Sequence, residues 1–68
     1  MLSLTDVVTL KSEIKERFGF ELHYHDACPK PYYTLDQRNE DAERFITEFL
    51  ADRGERPSFS KDGLHFTV

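Results

Sequence analysis

The sequence predicts a small α+β fold, a two-layer sandwich of order α-β-β-α-β-β. Four strands would form one mostly antiparallel sheet with both helices on one face. Three observations lead there. Two segments carry apolar residues at helical spacing. Two pairs of short segments alternate apolar and polar residues, as half-buried strands do. Asp62-Gly63 sits between the last two of them, a strong short-range hairpin signal. Elements with one apolar side each have one economical packing, a single sheet covered on one side. The chain has 68 residues, which suits one domain over 1–68.

The first helix is expected over residues 3–17. Ser3 with Asp6 three residues on reads as a capping box. Val7, Leu10, Ile14 and Phe18 make its apolar stripe, and Gly19 follows as the stop. Residues 20–25 then alternate strictly, with Phe20, Leu22 and Tyr24 on one side and Glu21, His23 and His25 on the other. Residues 31–36 repeat the pattern, with Tyr33 and Leu35 inward and Tyr32, Thr34 and Asp36 outward. Pro29 and Pro31 push the residues before them out of the helical region, so the intervening segment reads as a hairpin loop.

Asn39 is a good cap for the second helix, with Glu40 and Asp41 favoured in its first turn. Its stripe is Ala42, Phe45, Ile46, Phe49 and Leu50, and Gly54 ends it. Residues 57–61 and 64–68 form the last hairpin. A two-residue loop at Asp62-Gly63 puts Phe59 opposite Phe66, Ser60 opposite His65 and Ser58 opposite Thr67. The expected core is Val7, Leu10, Ile14, Phe18, Phe20, Leu22, Tyr24, Tyr33, Leu35, Phe45, Ile46, Phe49, Leu50, Phe59, Leu64, Phe66 and Val68. Phe49, mid-stripe on the stronger helix, is expected at its centre. The pattern leaves strand order open.

Composition narrows the function classes. Nine basic against 13 acidic residues give a net charge of −4, and the basic residues lie scattered among acids. Glu13 with Arg17 and Glu40 with Arg44 fit pairs one helical turn apart. A nucleic-acid binder needs a basic patch, so this argues against nucleic acid. One cysteine forms no internal disulfide and suits a reducing compartment. No apolar run approaches the ~20 residues of a membrane span, and no basic stretch leads into an apolar one. A cytoplasmic protein is expected, with no membrane partner.

Strand parity assigns the candidate site. His23, His25, Tyr32, Thr34 and His65 all fall on the uncovered face of the sheet, with Ser58, Ser60 and Thr67. Such a face can take a partner. The plainer alternative is an ordinary wet face built of good strand residues. His23 and His25, two apart, are also a usable metal pair, with Cys28 and His65 as third and fourth ligands, a mixture zinc accepts. No Cys-x-x-Cys or His-Glu-x-x-His spacing supports that set. Cys28 is a candidate thiol: His25 three residues earlier would favour its thiolate and Asp26 would oppose it. A Ser-His-Asp or Cys-His-Asp hydrolase would need a cleft and an oxyanion hole that a small flat sheet scarcely provides.

Two motifs carry family resemblances. Cys28-Pro29-Lys30-Pro31 is similar to the Cys-Pro-x-Pro motif of the TusA-like sulfur carriers, whose cysteine carries a persulfide. In that family the motif opens a helix, whereas here the extended Tyr32-Tyr33-Thr34-Leu35 follows. Asp26-Ala27-Cys28, a second strand, a helix with Phe45 and Phe49 and the hairpin of Phe59, Gly63, Leu64 and Phe66 resemble the small RDAC family. Those proteins have Arg where this chain has His25 and tend to have Gly where it has Pro29. The resemblance implies a bacterial cytosolic protein with a turn at Asp-Ala-Cys and implies no activity. The leading expectation is a non-enzymatic binding module without a cofactor. Its open face would meet a protein, a small ligand or a second copy of the chain. A sulfur or redox carrier working through Cys28 is second, and a small Cys/His metal protein third.

Overall fold

The structure, a computed structural model, describes residues 2–27 and 29–68. Its elements are α1 (Leu4–Phe18), β1 (Leu22–His25), β2 (Tyr32–Leu35), α2 (Glu40–Ala51), β3 (Ser58–Phe59) and β4 (His65–Thr67). The class and element order are those the sequence predicts. The strands make one antiparallel sheet in the order β1-β2-β4-β3. Thus the last hairpin docks through its second strand, and β3 is left at an edge.

The helix ends follow from local chemistry. Ser3 accepts a 3.1 Å hydrogen bond from the Asp6 N–H, and Asn39 accepts one of 3.0 Å from the Ala42 N–H. Each satisfies one of the donors a helix start leaves orphaned. At the end of α2, Gly54 donates to the Ala51 carbonyl and Glu55 to that of Leu50. This is a Schellman motif, and its left-handed position is Gly54 at φ 72°. Glu13 and Arg17 pair at 2.6 Å as expected, whereas Arg44 turns to Asp41 at 3.5 Å rather than to Glu40.

One apolar cluster joins all the layers. Val7, Leu10 and Ile14 of α1 meet Ala42, Ile46 and Leu50 of α2, with Phe20, Leu22, Tyr33, Leu35 and Phe66 beneath. Buried residues from both helices in contact with one parity of the strands are the pattern expected of two helices sharing a sheet face.

The centre is not Phe49. Ala42, Ile46 and Leu50, spaced by four, are fully buried, while Phe45 and Phe49 are only partly buried on the flank of that line. A four-residue step drifts slowly round the helix, so it holds one contact line against the sheet. There Arg17 lies 4.7 Å from the Phe45 ring centre and Arg53 3.7 Å from that of Phe49. Guanidinium groups can cover aromatic faces in this way while staying hydrated. Phe18, Tyr24, Phe59 and Val68 are likewise partly buried against the cluster, and Leu64 is half-buried.

The last hairpin keeps the expected register, Phe59 opposite Phe66 and Ser58 opposite Thr67. Its turn differs from the expected two-residue form. The Gly63 N–H donates to the Ser60 carbonyl at 3.1 Å, so Lys61 and Asp62 are the central residues. Gly63 has φ 70°, and no described non-glycine residue has positive φ. A type I′ turn, with positive φ at both Asp62 and Gly63, is therefore not formed. The Asp62 carboxylate stabilises the turn instead, accepting from the Leu64 N–H at 2.9 Å and from the Ser60 hydroxyl.

Among the described residues, no helix is long and apolar enough to cross a membrane.

Candidate functional site

Pairing sets the geometry of the outer sheet face. In β1 and β2, His23 lies opposite Thr34 and His25 opposite Tyr32. In β2 and β4, Thr34 lies opposite His65. His23, Thr34 and His65 thus form one row across three strands, with His25 and Tyr32 in the next. These residues alternate with the buried Leu22, Tyr33, Leu35 and Phe66, so they leave the sheet on the side away from the core. All five candidate face residues are brought together. None of the three histidines is buried under the helices.

The His25 and Tyr32 rings stack with centres 4.6 Å apart and planes at 8°. Tyr32 also approaches His65, at 6.4 Å and 41°. Antiparallel neighbours bring directly opposite side chains within ring-stacking range, so the contact follows from register. His25 Nε2 shares a 3.0 Å hydrogen bond with Thr34 Oγ1 on the diagonal.

The carboxylates lie toward the other end of the face. His23 Nε2 is 2.8 Å from Asp36 Oδ1, and Asp36 Oδ2 accepts from the Glu21 N–H at 3.3 Å. Asp36 therefore clips the open ends of β1 and β2 together. The bond from His23, the largest influence, holds its carboxyl below the ordinary value of 3.8. Asp62 is lowered in the same direction, first by the Ser60 hydroxyl and then by the Leu64 N–H. His65 Nδ1 is 3.7 Å from Asp62 Oδ1.

Ser60, Asp62 and His65 lie close enough to suggest a hydrolytic triad, but their bonding differs. In a triad the serine donates to the imidazole and the carboxylate orients that imidazole. Here the Ser60 hydroxyl donates to Asp62 and accepts from the His65 backbone N–H at 3.2 Å. The trio closes the hairpin, and Ser60, Asp62 and His65 are all exposed.

No group of three or more His, Asp or Glu side chains placed to hold a metal ion occurs among the described residues. His23, His25 and His65 instead engage Asp36, Thr34 and Asp62 separately. Cys28, the candidate thiol and third metal ligand, lies outside the described residues. The Pro31 that closes its motif leads into strand β2, so a strand occupies the place where the TusA-like carriers open a helix. Sequence reasoning missed Asp62 as a partner of His65, though the acid-Gly turn signal beside the histidine marked it. Compared with protein-family models, curated proteins and solved structures, the chain has no match in any of the three.

Proposed function

We propose that this protein is a small non-enzymatic binding module, cytoplasmic in location, whose contact surface is the open sheet face. The stacked pair His25 and Tyr32 is the observation that carries the reading. It places a half-exposed aromatic platform where an ordinary wet sheet face needs only small polar side chains.

Chemistry selects the class of partner. Tyr32 presents a ring face, Thr34 and Ser58 present hydroxyls, and Asp36 and Asp62 present anions farther along the strands. Planar arginine side chains stack on aromatic rings and bind carboxylates bidentately. The net charge of −4 steers a basic partner toward the protein and an acidic one away. The partner is accordingly read as an extended basic segment of another protein, lying along β2 and β4.

The test is an amide-shift titration of the labelled protein with a short arginine peptide and with its glutamate counterpart. Saturable shifts at His23, Thr34, Asp36 and His65 with the arginine peptide alone, lost in Tyr32→Ala, support the reading. Equal responses to both peptides, or shifts confined to α1 and α2, sink it. Self-association of the labelled protein alone, seen by sedimentation and lost in Tyr32→Ala, would make the occupant a second copy.

A further inference from the structure

Tyr33 is 4% exposed, yet its hydroxyl makes no hydrogen bond to any described residue. Its ring is held between Phe66, stacked at 4.8 Å, and Tyr24 at 5.1 Å. That hydroxyl still reaches open space, because the one fully enclosed side-chain polar atom without a partner among the described residues is Glu43 Oε2. The same residue lines a cavity of about 260 Å³, together with Leu2, Lys30, Pro31 and Val68. Leu2 precedes α1, Lys30 and Pro31 close the connection between β1 and β2, and Val68 follows β4. The cavity therefore lies on the helix-covered side of the sheet, opposite Tyr32.

Each wall restricts the occupant. Leu2, Pro31 and Val68 are apolar. Lys30 is the one charged side chain among the described lining residues, and it makes no ion pair with a described residue. Burial pushes the Tyr33 phenol up to about 12, so it stays protonated and available as a donor at neutral pH. A phenolic donor and a cation lining the same apolar hollow match an anion attached to a short hydrocarbon. Size sets the upper bound. An apolar cavity of about 150 Å³ accepts a single benzene ring, whereas sites for drug-sized ligands run from about 300 Å³ upward.

We propose that this cavity binds a small monocarboxylate carrying one short apolar group, with the carboxylate between the Tyr33 hydroxyl and the Lys30 ammonium and the hydrocarbon against Leu2, Pro31 and Val68. This site is separate from the open face, because Tyr32 and Tyr33 leave β2 on opposite sides. Failure of one reading leaves the other standing.

Hexanoate is the probe, followed by amide shifts in the full chain, with hexanol as the uncharged comparison. Saturable shifts are expected at Leu2, Lys30, Tyr33 and Val68, and not at His23, His25, Tyr32, Thr34 or His65. Tyr33→Phe keeps the ring and removes only the hydroxyl, and Lys30→Gln alters an exposed side chain, so both variants should fold. Each should weaken hexanoate about tenfold, as expected for losing one hydrogen bond to a charged group. Hexanol should bind more weakly than hexanoate by a similar factor. The proposal is overturned by non-saturating shifts, by shifts centred elsewhere, or by equal binding of hexanoate and hexanol that neither variant changes.

Discussion

Asp6, in the first turn of α1, accepts a 2.9 Å hydrogen bond from Arg53, 47 residues later and just beyond α2. The same guanidinium covers the Phe49 ring and donates to the Phe49 carbonyl at 3.1 Å. One side chain thus ties the start of one helix to the end of the other and shields an aromatic flank.

That contact makes stability depend on acid. The hydrogen bond from Arg53, the largest influence, lowers the Asp6 carboxyl below 3.8. A lowered folded-state value means that the stabilisation is present above the unfolded value and is lost as pH falls through the folded one. Urea melts of Arg53→Gln should show a lower midpoint than the parent at pH 7. The gap between the two midpoints should narrow below pH 3.8, leaving the part that Arg53 contributes through Phe49. A constant difference across that window would mean that Arg53 acts through Phe49 alone.

Ile46 and Phe49 should separate in denaturant melts. Ile46 is fully buried, so Ile46→Ala should cost about 2–5 kcal/mol in lost transfer energy and residual cavity. Phe49 is partly buried beneath Arg53, and Phe49→Ala should cost about 1–2 kcal/mol. The reverse order would put the centre of α2 back on Phe49.

Gly63 carries the hairpin turn at φ 70°, where a β-branched residue is strongly disfavoured. Gly63→Val should destabilise by about 1–3 kcal/mol. A Cβ there would also lie 3.1 Å from Arg38 Cγ, though that side chain can move aside. A silent substitution would show that the turn lies elsewhere.

Tyr33 should respond to alkali. Its folded-state value of about 12 exceeds the ordinary 10.0, so stability is complete below 10.0 and falls as pH rises from there toward 12. Tyr33→Phe should flatten that alkaline limb in thermal melts. An unchanged limb would assign it to other groups.

The sequence revealed features whose causes are local. The caps Ser3 and Asn39, the helix stops and the Phe59–Phe66 register each depend on a few neighbouring residues, and all are present. Parity likewise placed His23, His25, Tyr32, Thr34 and His65 on one face, because period two leaves a strand residue only two choices. Features set by distant parts of the chain were not legible. The β2–β4 pairing and the Asp6–Arg53 contact bring together residues that no local pattern relates. Phe49 misled because hydrophobic size marks a helix stripe but not its deepest line, which the small Ala42 shares with Ile46 and Leu50. The turn misled because Asp-Gly also suits a type I turn closed by the Asp62 side chain.

Cross-relaxation between ring protons of the folded protein measures the open face most directly. Cross-peaks should link the His25 ring to Tyr32 and the Tyr32 ring to His65, with none from the three histidine rings to Leu10, Ile46 or Leu50. Cross-peaks from any of those histidines to the helix core, or no contact between His25 and Tyr32, would contradict the exposed ring platform and the binding role built on it.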